Sequence, residues 1–131
     1  MTTRTGVIVA DLGLLLRVLG LISGAAPTER VVTADALLAE LVGFLVEHLD
    51  RDIERIAGVV AEAQFAVIRW LPLTGVSFKL VEIATAAPPD MPVGLLSPIA
   101  LAAEMNLPLG TISTEIVELA RPYVREVRLL G

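Results

Sequence analysis

Apolar positions fall into four stretches, Gly6 to Gly24, Thr33 to Leu71, Gly75 to Thr85 and Ser97 to Leu130. The joints between them, Ala25-Ala26-Pro27-Thr28, Pro72-Leu73-Thr74-Gly75 and Ala86 through Pro92, carry the proline and glycine that end regular structure. The first stretch is Leu-rich, free of proline and too long for a single strand, so its pattern predicts a helix. Gly13 and Gly20 lie two helical turns apart on one face of it, which either admits a close helix neighbour or is merely tolerated.

In the second stretch Val42, Leu45, Val46, Leu49, Ile53, Ile56, Val60, Ala63, Val67 and Trp70 recur at three- and four-residue steps. Thr33 suits an N-cap, and Asp35 follows in the first turn where the helix dipole favours negative charge. The stripe runs on through Asp50-Arg51-Asp52, so one helix is predicted rather than two. From Thr33 to Leu71 it would be roughly 55 Å long at ~1.5 Å per residue. The first helix, packed as an antiparallel hairpin over residues 6–71, covers about half of that stripe. The remainder, Val42, Leu49, Ile53, Ile56, Val60, Val67 and Trp70, is then expected to meet a second copy or another subunit. A break near Asp50 would permit a compact bundle and weaken the need for a partner.

The third stretch alternates briefly at Val76, Phe78 and Leu80, and a short strand or a helix turn stays open. In the fourth, Ser97 can cap and Pro98 can fill the first helical position, with Leu101, Ala102 and Met105 inward. Asn106-Leu107-Pro108-Leu109-Gly110 supplies a turn, and a second helix starts at Thr111 with Ile112, Ile116 and Leu119 inward. Residues 93–131 thus read as a helix-turn-helix-like part of a single domain spanning 1–131. The run Tyr123 to Leu129 reads as a final strand or as more helix.

The segment Leu101-Ala102 through Leu107-Pro108-Leu109-Gly110-Thr111-Ile112 is similar to the helix-turn-helix in the last region of bacterial alternative sigma factors. It also resembles the C-terminal winged-helix segment of a family of small actinobacterial regulators. That resemblance implies DNA binding through the second helix. The positions that usually carry cations there are Ser113, Thr114 and Glu115, with Glu118 a turn later, and carboxylates facing a phosphate backbone are repelled.

Composition turns these elements toward assembly. Apolar residues make up 55% of the 131 residues and charged ones 19%, against roughly 45–50% and about 25% in ordinary soluble domains. A small chain has little interior, so the surplus predicts a partner surface or lipid. The net charge of −5 disfavours nonspecific nucleic-acid binding. The run Val7 to Ile22, preceded by Arg4, resembles a signal peptide or membrane span, but Asp11 and Arg17 interrupt it. With no cysteine, disulfides and thiolate chemistry are excluded.

Catalytic candidates are sparse. His48 is the only histidine, and Asp52 is its one partner at helical spacing, a pair read as an exposed surface feature. Asp50 through Glu54 diverge on a helix, so no metal site is expected, and no phosphate loop or dinucleotide motif calls for a cofactor. The expected molecule is mainly α, cysteine-free and cytoplasmic. It is a non-catalytic structural subunit working by self-association or protein–protein contact. A DNA-binding regulator dimerised through the long helix, and a small membrane-associated protein, are the alternatives.

Overall fold

Val7-Ile8-Val9 is a β-branched run suited to a strand buried on both faces, and it forms β1 (Val7–Ala10) at the centre of a parallel sheet. A computed structural model describes residues 6–131; the Arg4 flank of the signal-like reading lies outside them. Asp11 ends β1 and accepts from the Leu14 amide at 2.9 Å, capping α1 (Leu12–Val18). Gly20, at φ 73°, then stops the helix, with the Leu21 amide reaching back to the Leu16 carbonyl.

β2 (Arg30–Ala34) follows, then α2 (Ala36–His48), α3 (Ile53–Ala66), which runs directly into β3 (Val67–Leu71), and α4 (Ser77–Ala86). The chain ends with α5 (Val93–Met105), β4 (Leu109–Thr111), α6 (Thr114–Ala120) and β5 (Val127–Leu129). All strand pairs are parallel, in the order β3-β2-β1-β4-β5. Parallel pairing needs crossovers, and these use both faces of the sheet. On one face Ile8, Ala10, Val31 and Val67 pack with α1, α2 and α3; on the other Val9, Val32, Ala34 and Leu109 pack with α4, α5 and α6.

The architecture is therefore α/β and doubly wound, which corrects the mainly α expectation in four places. The Val7–Ile22 run is not one helix or span but a central strand followed by a seven-residue helix. Among the described residues no helix is long and apolar enough to cross a membrane. Thr33 does not cap a helix: it lies in β2, its Oγ1 donating to the Ala10 carbonyl at 2.7 Å. Nor does a rod extend from Thr33 to Leu71, because Asp50 and Arg51 take left-handed φ of 53° and 57°. Asp52 then caps α3 through the Glu54 and Arg55 amides.

The proposed helix-turn-helix is equally altered. Its turn, Asn106 to Gly110, ends inside β4, a strand that pairs with both β1 and β5, so a sheet element separates the two helices. Asn106 at φ 54° closes α5, with the Leu107 amide on the Ala102 carbonyl. Pro98 is not the first helical residue either, since α5 begins at Val93. Proline leaves the Gly94 carbonyl without its helical donor, and the Ser97 hydroxyl takes that role at 2.6 Å. Of the two open alternatives, the third stretch is helical and the last ends in a strand.

Candidate functional site

In a doubly wound sheet the two crossover directions part at one point, and a crevice opens beyond the carboxyl ends of the strands there. Here the parting lies between β1, whose chain proceeds toward β2, and β4, whose chain proceeds toward β5. Asp11 follows β1, and Thr111 ends β4 and leads into Ser113. A crevice of about 270 Å³ occupies this place, with Asp11, Ser113 and Glu115 as its polar members. Leu12, Gly13, Leu16, Phe44, Met91, Leu95 and Ile116 form the apolar remainder of its walls.

The Asp11 carboxylate is the fixed point. Its Oδ1 accepts from the Leu14 amide, and its Oδ2 accepts from the Thr111 hydroxyl at 2.5 Å, tying the end of β1 to the end of β4. Thr111 Oγ1 in turn accepts from the Ser113 amide at 3.1 Å, and Ser113 Oγ accepts from the Ile116 amide, capping α6. The residue is buried, and burial pushes its carboxyl above the ordinary range, against the lowering effect of Thr111 and the Leu14 amide. Each carboxylate oxygen keeps a second lone pair, so the group still accepts a donor from the crevice. Among the described residues no lysine, arginine or histidine lines the space, and the two ionisable ones that do are both acids. Among the described residues no group of three or more His, Asp or Glu side chains converges as a cation site would require.

The residues expected to form one interaction seam are dispersed. Val67 is buried in β3, while Leu49, Ile56, Val60 and Trp70 are half-buried in the core formed with α1, α2 and α3. Val42 is at the edge of exposure, and only Ile53, 79% exposed, stands clear. Trp70 packs with this core, its Nε1 buried and without a partner. His48 does not meet Asp52, because the helix breaks between them. Its ring stacks on Phe44 at 3.9 Å, and Nδ1 lies 2.9 Å from the Phe44 carbonyl.

From the sequence Asp11 reads only as an interruption of an apolar run, and Ser113 and Glu115 only as positions on a DNA-facing helix, so none of the three is expected in a pocket. The usable signal was β-branched Val-Ile-Val ending in an aspartate that can cap a following helix, the way strand-turn-helix units bring an acid to a sheet's carboxyl edge. No family model matches the chain and no curated protein matches it, so the chemistry of the crevice itself supports any functional reading.

Proposed function

We propose that the chain is a non-catalytic binding protein that holds a small, largely apolar molecule bearing a hydrogen-bond donor, an amine in its simplest form, in the crevice between β1 and β4. The observation that carries this reading is a buried carboxylate in the wall of a mainly apolar cavity. A pocket of this kind binds through its apolar walls and selects through its few polar groups. An anionic ligand meets Asp11 and Glu115 with no cation to offset them. A cationic or neutral donor satisfies a carboxylate that burial otherwise disfavours.

The partners of Asp11 support a non-catalytic reading. A general base or nucleophile works with a second group that orients or activates it. The Asp11 oxygens instead hold a helix cap and a strand-end hydroxyl, and the histidine lies elsewhere.

Amide chemical shifts of the isotope-labelled protein, titrated with benzylamine and separately with benzoate, test the reading. Benzylamine is expected to move the signals of Asp11 to Gly13 and Ser113 to Ile116, and benzoate is not. In Leu95→Trp, which fills the crevice, the benzylamine response is expected to disappear. Equal responses to the two probes, or shifts confined to other surfaces, would defeat the proposal.

A further inference from the structure

On the sheet face that packs with α4, α5 and α6, a hollow of about 370 Å³ lies at the β3 edge. Val7, Val32 and Leu71 line it from the sheet, Met105 and Leu107 from the joint between α5 and β4. Its one charged member is Arg69, which stands opposite Val32 of β2. Arg30 lies two residues before Val32 on the same strand, opposite Val7, and so shares that face. Strand geometry puts the Cα atoms of the two arginines on the order of 8 Å apart, within reach of one head group. Among the described residues no acid pairs with either arginine. Glu104, the acid next to Met105 in the chain, is exposed and lies outside the lining.

We propose that this hollow binds a medium-chain fatty acid, its carboxylate held by Arg69 with Arg30 as a second cation and its alkyl chain laid against the apolar lining. A pocket of this kind holds its guest by apolar walls and fixes its orientation by a few polar groups. Here the charged group sets the sign. A guanidinium presents a planar fork that matches a carboxylate, whereas a cationic head group is repelled and a neutral chain leaves the fork unused. A free phosphate makes no use of the apolar lining, and two cations are too few to hold a nucleic-acid backbone. The net charge of −5 repels anions from most of the surface, so two unpaired arginines beside apolar side chains mark the place where an anionic amphiphile is retained.

The crevice between β1 and β4 is the opposite of this hollow in chemistry. That space has carboxylates and no cation among its lining residues, this one a cation and no carboxylate, and the two share no residue. The two readings therefore stand or fall separately. Chain length enters the affinity directly, because each methylene taken out of water strengthens binding by up to about fourfold until the hollow is full.

Amide chemical shifts of the full chain, titrated with butanoate, hexanoate and octanoate below micelle-forming concentrations, read the site, with octylamine as the probe of opposite charge. Octanoate is expected to move the signals of Val32, Ile68 to Leu71 and Met105 to Leu107 saturably, and octylamine is not. Affinity is expected to rise from butanoate to octanoate. Arg69→Met keeps the apolar stem and removes the charge, and is expected to weaken octanoate binding about tenfold, the scale of a charge-assisted hydrogen bond. Arg30→Met is expected to weaken it less, and Arg55→Met, which removes an equal charge from α3, to leave it unchanged. Met105→Trp, at a position 47% exposed, is expected to fill the hollow and abolish the response while circular dichroism stays the same. An equal response to octylamine, an affinity independent of chain length, unchanged binding in Arg69→Met, or a loss as large in Arg55→Met overturns the proposal.

Discussion

Asp11 shows how one side chain can hold a fold together and still work against it. Its carboxylate caps α1 and joins the ends of β1 and β4, yet its burial favours the protonated form. With the folded-state pKa above the unfolded one, the native protein binds the extra proton between the two values. The contribution of Asp11 to stability is therefore present at low pH and is lost as pH rises through the folded value. Asp11→Asn keeps an oxygen for the Leu14 amide and removes the charge. Relative to this variant, the natural protein is expected to lose stability in urea as pH rises from the ordinary carboxylate range toward neutrality, and an opposite slope would exclude the mechanism. Asp11→Ala removes the cap and orphans the Thr111 hydroxyl, and is expected to cost about 2–3 kcal/mol.

Gly110 makes a related point. It reads from the sequence as turn punctuation, but it sits in β4, opposite Ala10, where an added Cβ would lie 2.5 Å from Leu14 Cδ2 and 2.8 Å from Ile8 Cδ1. The glycine is there for close approach of helix and sheet rather than for a turn. Gly110→Ala is accordingly expected to cost about 1–3 kcal/mol through overpacking. A lowered urea midpoint with an unchanged slope is the measurement that checks it.

Among the elements, the division of α2 from α3 separates what the pattern conveys from what it hides. The three- and four-residue steps of the second stretch are real within each helix, but they keep phase through Asp50-Arg51-Asp52 and so hid the stop there, although Asp52 is a residue type that caps a new helix. The Arg51 amide reaches the Val46 carbonyl across a left-handed pair, and Asp52 starts the next helix. Asp52→Ala is expected to cost about 1 kcal/mol by removing the cap. Arg51→Gly is expected to stabilise by about 0.5–1 kcal/mol, because arginine at positive φ is strained and glycine is not. Thermal melts at fixed pH compare the two, and equal signs would argue against the cap-and-reversal account. β1, β2 and β3 were less legible. A strand buried on both faces loses the alternation that marks half-buried strands, and the spacing of Val67 and Trp70 in β3 coincides with a helical step.

For the molecule as a whole, the apolar surplus has a first destination that a single-core estimate omits. A sheet covered on both faces carries two cores, so Ile8, Val9, Val31 and Val32 are all buried on one side or the other. Helix α1 is also tied to the segment that follows β5. Arg17, whose charge reads in the sequence as an obstacle to membrane insertion, donates from Nη1 to the carbonyls of Leu130 and Gly131, each at 2.9 Å. The Leu130 amide meanwhile donates to the Thr111 carbonyl, so α1 secures the outer strand β5 against β4. This edge strand of three residues is otherwise restrained by its ladder to β4 and by the Arg128 ion pair with Glu29, and charge-assisted bonds to its end contribute about 1.5–3 kcal/mol. Arg17→Ala is expected to lower stability by that amount and to raise amide exchange in β5 well before β1. Loss of protection spread evenly over all five strands would instead mean that Arg17 acts on the global fold, with no local hold on the sheet edge.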